Sequence, residues 1–589
     1  MTDYQGNPPY IFSGLHTSPL LEFKSPIPHM LHTNFVPSEA QSNEIRESIS
    51  DSLKSLDDLD SEISSLKARV AQLLEQREKL CADISAHQAL VTPARRLPRD
   101  IIQEIFVACL PADRNPVMTS SDPPMLLGQI YSFWRDIALS TPCLWSSLHI
   151  VIPGSAEMIH RIGHAIKIWL SRSGVLPLSI KVVLSRTYSD DLQDKVAEIF
   201  TTLSMYKRRW RDIEFLFALA SEALLSSLAA IPTDDVPLLG SFLLCSWIKD
   251  SESVVHLPLF DAPNLRNASI NSFGHSPIFP TSWLSLTELH LNTGDGSGRS
   301  LGFSRPGLHL GATTFLSPRA AIDILRRCPN LEISSLEVTQ DYTEANIVVA
   351  NDHTFGPPLT LEKLRILSIA FPHRRPPDIF FQTLIIPKLE SFTFSGCAGK
   401  LRLPFLSLFT ETNRLTHLNI ILRRFKIGPI LEGLRLAPDI KTLKLTSVEG
   451  TQWGSWFANE NPAPQPHEEL LTLLTPSTAQ LVCPRLTKIE LDNCTHFSDA
   501  GLLQLLQARL GNWDGMDRLE YFSAGFNRER EADIMPELQP LIEVANATVS
   551  LKYPASYVPP QPQPYSPWEG ANGPIAYFHP DDPWPSNRW

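Results

Sequence analysis

The sequence predicts an α/β repeat protein with an N-terminal coiled-coil helix, a small all-α domain and a curved solenoid of stacked strand–helix units. Three observations predict this order: an early run of apolar residues in steps of three and four, two short amphipathic stretches between residues 92 and 148, and a strand motif LxxLxL that recurs downstream. The chain has 589 residues. Because one compact hydrophobic core rarely holds so many, several folded units are expected.

The two ends of the chain lack the periodicity of folded elements. Residues 1–43 carry scattered Pro, Ser, His and Asn, and we expect them to be disordered. Residues 549–589 form a Pro-rich tail, with ten prolines after Tyr553. Proline at that density is incompatible with packed helix or sheet. The sequence therefore predicts disorder at this end as well.

Residues 44–91 have the heptad pattern of a coiled-coil helix. The a positions are Ile49, Leu56, Ile63, Val70, Arg77 and Ile84, and four consecutive d positions are Leu59, Leu66, Leu73 and Leu80. This seam predicts one long helix, and β-branched residues at a with leucine at d favour two parallel strands. One hypothesis is a homodimer through this helix. The other is a helix that folds back onto its own domain.

Residues 149–548 repeat the strand motif. Its copies are APNLRNASI (262–270), WLSLTELHL (283–291), CPNLEISSLEV (328–338), LEKLRILSI (361–369), IPKLESFTF (386–394), NRLTHLNI (413–420), APDIKTLKL (437–445) and CPRLTKIEL (483–491). Anchors Leu364, Leu389, Leu415 and Ile440 are 25, 26 and 25 residues apart, and Leu486 follows after 46, close to two such units. This period is the signature of leucine-rich repeats, which stack into a curved array. Residues 317–328 and 499–510 are predicted helices of its outer face.

The strand motif also predicts an exposed ladder of side chains. In LxxLxL the residue between the last two apolar positions points to the open face of the sheet. The residues at that position are His290, Ser368, Thr393, Asn419, Lys444 and Glu490. The ladder is polar and mixed in charge, which suits binding of a target protein. An ordinary solvated sheet face has the same composition, so both interpretations stay open.

Composition and motif content argue against several function classes. The net charge of −12 gives no general reason to expect nucleic-acid binding. No apolar run reaches 18 residues and no secretory signal is present, so we expect a cytoplasmic or nuclear protein without membrane association. The eight cysteines form no CxxC pair, which predicts reduced thiols and no metal. The sequence contains no P-loop, GxSxG or HExxH motif, so neither an enzyme nor catalytic residues are expected.

The segment 92–148 resembles the F-box, and more narrowly the F-box-like segments common in large fungal families of repeat proteins. The resemblance rests on an opening LPRDIIQEIF and on the closing motifs WRDIA and LW. The matching residues are Leu97, Pro98, Asp100, Ile101, Ile102, Ile105 and Phe106, then Trp134, Arg135, Ile137, Ala138, Leu144 and Trp145. Two features depart from the pattern: a longer insert at residues 111–124, and Tyr131 and Phe133 in place of Cys-Arg-type residues.

The resemblance implies a substrate-recognition adaptor of an SCF-type (cullin–RING) ubiquitin ligase. The F-box would dock on a Skp-family linker protein, the repeats would hold an unidentified target protein, and other subunits would catalyse transfer, so no cofactor is needed. The residues expected to bind the linker are Leu97, Pro98, Ile101, Ile102, Ile105, Phe106, Trp134, Leu144 and Trp145. The alternative is a non-catalytic leucine-rich-repeat scaffold whose F-box-like segment is only a structural cap.

Overall fold

The chain forms two compact units, residues 1–98 and residues 99–589, in a computed structural model. The structure describes residues 25–184, 192–217, 222–247, 257–273, 283–292, 316–338, 356–371, 378–396, 403–412, 414–422, 427–447, 468–476, 481–492, 497–526 and 528–553. The expected disorder of residues 1–24 and 554–589 lies outside the described residues, as do Cys397 and Cys494.

The first unit consists mainly of one helix, α1 (Glu39–Val91). It begins five residues earlier than predicted because Ser38 and Gln41 form a capping box: Ser38 N–H donates to Gln41 Oε1 at 3.0 Å, and Gln41 N–H donates to Ser38 Oγ at 3.4 Å. The expected disorder is therefore wrong for residues 39–43. Pro93 follows the last turn and cannot continue the helix. The predicted single continuous helix is confirmed.

The second unit opens with two short helices, α2 (Arg99–Ala108) and α3 (Ser132–Leu139). Single-turn 3₁₀ helices lie at Leu127–Gln129 and Pro142–Trp145. The stretch from Leu126 to Leu139 looked like one amphipathic helix in the sequence, but it is interrupted at Tyr131, which is extended at the start of α3. The apolar residues of this stretch therefore do not share one face: Leu127 and Ile137 are buried, whereas Ile130 is exposed.

A parallel sheet of 14 strands dominates the second unit, and its strands follow one another in chain order. Since each strand pairs with the one before it, the sheet grows unit by unit as in an α/β solenoid, and it does not close. Its strands are β1 (Ser147–Ile152), β2 (Leu178–Leu184), β3 (Trp210–Phe217), β4 (Ser241–Trp247), β5 (Asn267–Phe273), β6 (Glu288–Asn292), β7 (Ile333–Glu337), β9 (Ile366–Phe371), β11 (Ser391–Gly396), β12 (His417–Leu422), β13 (Thr442–Ser447), β14 (Lys488–Asp492), β15 (Tyr521–Gly525) and β16 (Thr548–Lys552). Two short strands, β8 (Leu359–Thr360) and β10 (Leu384–Ile385), pair separately.

Helices connect many of these strands and lie against the apolar face of the sheet. The described residues form α4 (Ala156–Arg172), α5 (Gln193–Ser204), α6 (Glu222–Ala229), α7 (Pro318–Arg326), α8 (Asp378–Gln382), α9 (Leu406–Glu411), α10 (Ile427–Leu436), α11 (Glu468–Leu474), α12 (Asp499–Leu510) and α13 (Met535–Ala545). Alternate strand residues such as Phe392 and Phe394 point into this layer and meet Phe405 at 5.0 and 4.8 Å between ring centroids. The period of two along each strand thus separates core from surface.

The predicted strands are confirmed at every motif copy, and α7 and α12 confirm the two predicted outer helices. The interval between Ile440 and Leu486 does not contain the two repeat units that its length of 46 residues predicted. Strands β13 and β14 are direct neighbours, with Leu443 opposite Ile489, so the 46 residues form one long unit instead of two. The tail also begins later than residue 549, because β16 extends to Lys552 and pairs with β15.

Candidate protein-binding surfaces

Helix α2 is apolar on two sides, and only one of them is buried. Ile102 and Phe106, four residues apart on one face, are fully buried. Ile101 and Ile105, four residues apart on the neighbouring face, are 45% and 39% exposed. The helix can therefore pack into its own domain and still offer apolar side chains to a partner.

Aromatic contacts hold the buried side of α2 in place. The ring of Phe106 meets the ring of Trp134 edge-on, with centroids 5.1 Å apart. Trp145 Nε1 donates to the Ala138 carbonyl at 2.8 Å, and its ring lies 4.8 Å from that of Trp169 on α4. Gln103 Nε2 donates to Thr141 Oγ1 at 3.0 Å. These contacts join α2 and α3 to the first helix of the solenoid.

Other apolar side chains near α2 and α3 are also exposed. The exposed set, which we call the α2–α3 apolar surface, consists of Ile101, Ile105, Val107, Met125, Leu126, Ile130, Phe133 and Leu139. Concentrations of large exposed apolar side chains mark interaction sites more often than ordinary surface. The sequence did not identify Met125, Leu126 and Ile130 as exposed contact residues, because exposure in a short irregular segment cannot be inferred from periodicity.

The structure separates the residues expected at the linker interface into two groups. Ile101, Ile105 and Pro98 are exposed, and Leu97 and Trp134 are partly buried. The other four, Ile102, Phe106, Leu144 and Trp145, are buried. Their prediction as linker contacts is wrong, because they form the core of the domain. The F-box resemblance could not distinguish the groups, because core and contact residues occur in the same motif.

The insert at residues 111–124 covers the first edge of the large sheet. His149 N–H on β1 donates to the Pro116 carbonyl at 2.8 Å, and Val117, which is buried, forms a parallel bridge with His149. Asn115 Nδ2 donates to the Ser179 carbonyl at 3.3 Å, and Arg114 forms an ion pair with Asp122 at 2.6 Å. An uncovered edge strand is a template for aggregation, so this insert protects the solenoid.

Burial beneath the insert affects the chemistry of His149. Desolvation, together with the nearby charges of Lys181 and Arg114, lowers the pKa of this imidazole to about 4. The Nε2 atom is buried and has no hydrogen-bond partner within the described residues. His149 is therefore neutral at physiological pH, and its protonation is opposed by the fold.

The six ladder residues predicted from the strand motif lie in one register across the sheet. Strand pairing aligns Ser368 with Thr393, Asn419 with Thr393 and Lys444, and Lys444 with Glu490. His290 joins the same row through Ser335. The row continues through residues that the motif did not identify, namely His149, Lys181, Glu214, Leu243, Ser269, Ser335, Ser523 and Ser550. We call the whole set the central row.

Charged groups of the central row are paired with their neighbours. Lys444 Nζ lies 3.0 Å from Glu490 and 3.2 Å from Asp492, and Lys488 lies 2.8 Å from Glu490. Burial alone would raise the pKa of Glu490, but hydrogen bonds from Lys488 and Lys444 outweigh it and lower that pKa. Burial alone would lower the pKa of Lys444, but the carboxylates of Glu490 and Asp492 outweigh burial and raise that pKa. This part of the row is a fixed pattern of alternating charge.

One further row residue has an unused polar atom. Asn419 Oδ1 is buried and has no hydrogen-bond partner in the described part of the chain. It lies between Thr393 and Lys444 in the register. A buried acceptor without a partner costs free energy, so this position is less well satisfied than its neighbours in the row.

The described residues hold no group of three His, Cys, Asp or Glu side chains arranged to bind a metal ion. Within the same residues, no helix combines the length and apolar character needed to cross a bilayer. Burial raises the pKa of the Cys245, Cys328 and Cys483 thiols to about 12, so these groups are poor nucleophiles. The sequence matches no model of a known protein family and has no significant match among curated proteins.

Proposed function

We propose that this protein is a substrate-recognition adaptor of an SCF-type ubiquitin ligase. In this proposal the α2–α3 apolar surface docks on a Skp-family linker protein, and the open face of the large sheet binds a target protein. The observation that carries the proposal is the division of α2 into a buried face with Ile102 and Phe106 and an exposed apolar face with Ile101 and Ile105.

The energetics of exposed apolar groups support the docking role. Complete burial of an isoleucine side chain gains roughly 1.5–3 kcal/mol over leaving it in water. Ile101, Ile105, Ile130 and Phe133 each keep about two-fifths or more of their surface exposed. A partner that covered them would recover part of this free energy, and this gain supports the docking proposal.

The proposed mechanism is proximity. The chain itself would bind and orient two proteins, and the ligase subunits would perform ubiquitin transfer. Packing of Trp145 against Trp169 and of Phe106 against Trp134 supports a rigid connection between the docking segment and the start of the sheet. A rigid connection would hold the target at a constant distance from the linker.

The central row, except for the buried His149 and Ser335, is the proposed target surface. Its pattern of Lys444, Glu490 and Lys488 suits a polar peptide or protein surface. Charge complementarity of this kind mainly determines specificity and association rate. We therefore expect substitutions here to change target choice while they leave linker binding intact.

A second candidate function is a non-catalytic leucine-rich-repeat scaffold in which the F-box-like segment, residues 92–148, serves only as a cap. One observation favours it specifically: the insert bridges β1 through Val117 and His149, as a cap would. The two functions differ in whether the α2–α3 apolar surface has a partner. The cap role explains Val117 but gives no reason for the exposure of Ile101 and Ile105.

Co-purification of the full chain with a recombinant Skp-family linker and its cullin distinguishes the two functions. The adaptor proposal expects a stable complex with the wild-type chain and none with the Ile101→Asp/Ile105→Asp variant. Val175→Asp/Val544→Asp is a matched control, because these valines are 89% and 75% exposed outside the surface. No complex with the wild-type chain, or an equal loss in the control, contradicts the adaptor role.

A further inference from the structure

We infer that α1 forms an antiparallel homodimer in which Ile63 of one copy lies opposite Leu66 of the other. The apolar seam of α1 is exposed along nearly its whole length. Its members Ile49, Leu53, Leu56, Leu59, Ile63, Leu66, Val70, Leu73, Leu74, Leu80 and Ile84 are each between 42% and 60% exposed. This inference is independent of the proposed ligase role.

The length and spacing of the seam identify its occupant. α1 has 53 residues and is about 80 Å long at 1.5 Å per residue. A seam of this length at heptad spacing is covered best by another long helix with the same spacing. A second copy of α1 has both properties, and its charges decide the direction in which it lies.

A parallel arrangement brings unfavourable pairs together. Each a residue would face its own copy, so Arg77 would lie against Arg77, with like charges in the seam. Leu74 at an e position would face Arg69 at g, and Leu53 would face Ser48. One kind of flanking pair, Glu62 with Lys67, would be attractive, and twofold symmetry would make it twice, against four attractive pairs in the antiparallel register below. The a and d residue types favour parallel strands, but the flanking positions do not.

In an antiparallel arrangement each a residue faces a d residue of the other copy. The register centred between Ser64 and Ser65 gives layers Ile49–Leu80, Leu56–Leu73, Ile63–Leu66 and Val70–Leu59. In the same register Arg77 lies opposite Ser52, so the arginine that interrupts the seam meets a small polar residue. Arg77 at an a position and Ser52 at a d position, the two polar residues that interrupt the seam, therefore face each other instead of an apolar side chain.

The flanking positions support the same register. At the e positions Asp60 lies beside Lys67 of the other copy, and Leu53 lies beside Leu74. At the g positions Glu62 lies beside Arg69. Twofold symmetry makes each contact twice, so the register contains four attractive ion pairs and two additional apolar contacts. Flanking charges of this kind set the orientation of coiled coils.

The inferred dimer separates the parts of the two chains that follow α1. Val91, the last residue of α1, would lie at one end of the rod in one copy and at the opposite end in the other. At 1.5 Å per residue the two Val91 positions are about 80 Å apart. A parallel dimer would instead place both at the same end.

Sedimentation of the full chain over a concentration series tests the dimer. We expect a dimer for the wild type and a monomer for Ile63→Glu/Leu66→Glu, because these residues form the central layers. Lys54→Glu is the control, since Lys54 is on the outer face of the helix, where it pairs with Asp51. A monomeric wild type, or equal oligomeric states for wild type and seam variant, overturns the inference.

Disulfide trapping tests the orientation. Leu56→Cys chains are co-expressed with Leu73→Cys chains, both in a Cys81→Ser/Cys109→Ser background, and cross-links are mapped by mass spectrometry after oxidation. The antiparallel register expects a 56–73 cross-link between chains. It expects no 56–56 cross-link, because these positions are about 25 Å apart along the axis. Cross-links 56–56 and 73–73 without 56–73 overturn it.

Charge reversal tests the register independently. Arg69→Glu should raise the dimer dissociation constant about tenfold, since two attractive pairs become repulsive. Adding Glu62→Arg to the same chain should restore the affinity. In a parallel dimer the second change would remove the pair between Glu62 and Lys67 and lower the affinity further. Failure of the double variant to recover overturns the antiparallel register.

Discussion

Ile101 and Ile102 are adjacent in the chain, yet Ile101 is 45% exposed and Ile102 is fully buried. The same substitution at the two positions should therefore change different properties of the protein. Ile102→Asp places an uncompensated charge in the core beside Phe106 and should lower the free energy of unfolding by several kcal/mol.

Ile101→Asp should change that free energy by less than about 1 kcal/mol. Its effect should instead appear as loss of linker binding. Urea unfolding and co-purification measure the two properties separately. If Ile101→Asp destabilises the protein as much as Ile102→Asp does, Ile101 is a core residue and the docking surface is wrong.

The insert gives a second prediction. Val117→Asp should open the edge of the sheet at β1, because a charged side chain cannot stay in the buried position of Val117. We expect a lower unfolding midpoint and an increase in aggregated protein, measured by thermal denaturation and light scattering. Ser120→Asp, at an exposed position in the same insert, should have little effect. Equal behaviour of the two variants would show that the insert does not protect the edge.

The low pKa of His149 predicts that the protein loses stability over a specific range of acid pH. Its pKa is about 4 in the fold and 6.5 in the unfolded chain, so the unfolded state binds the proton first as the pH falls. Stability should therefore fall between about pH 6.5 and 4, by about 3 kcal/mol in total. His149→Gln should remove this dependence. Unfolding free energies measured across the window test the prediction, and an unchanged slope in the variant contradicts it.

The low pKa of Asp499, on α12, predicts a second loss of stability at lower pH. Its buried carboxylate accepts hydrogen bonds from Arg528 at 2.5 Å, the Glu531 and Ala532 amides at 2.8 and 2.9 Å, and Tyr553 at 2.7 Å. Burial would raise its pKa, but these donors outweigh burial and hold the pKa at about 2, below the ordinary 3.8.

The folded pKa of Asp499 is lowered, so its contribution of about 2 kcal/mol is present above pH 3.8 and is lost as the pH falls towards 2. Asp499→Asn should reduce stability at neutral pH and flatten the pH dependence below pH 4. Tyr553→Phe removes one donor and should cost about 1 kcal/mol. Chemical unfolding at several pH values measures both variants. An Asp499→Asn variant as stable as the wild type at pH 7 contradicts the prediction.

Substitution of the buried Arg509 should lower the free energy of unfolding by a large amount. Its Nε, Nη1 and Nη2 atoms donate to the carbonyls of Leu474, Cys483 and Val482 at 2.7, 3.0 and 2.7 Å. Arg509→Met leaves three buried carbonyls without these donors and should cost about 3 kcal/mol or more. Arg485→Met is the control, because Arg485 forms an exposed ion pair with Asp439. Similar unfolding free energies for the two variants would contradict the role assigned to Arg509.

The sequence by itself determined the repeating strands. The motif around Leu389 and Leu443 predicted β11 and β13, and both leucines are fully buried. Periodicity also predicted α1, α7 and α12. These features follow from local backbone geometry, because a period of two or 3.6 residues places apolar side chains on one side of an element wherever that element lies.

Only the tertiary structure decided which apolar residues are core and which are surface. Ile101 and Ile105 have the same spacing as Ile102 and Phe106, so no local pattern distinguishes the pairs. The bridge between Val117 and His149, and the direct pairing of β13 with β14 across the 46-residue interval, join residues far apart in sequence. Burial and pairing depend on which distant segments meet, and the free energy of those contacts is absent from any single stretch of chain.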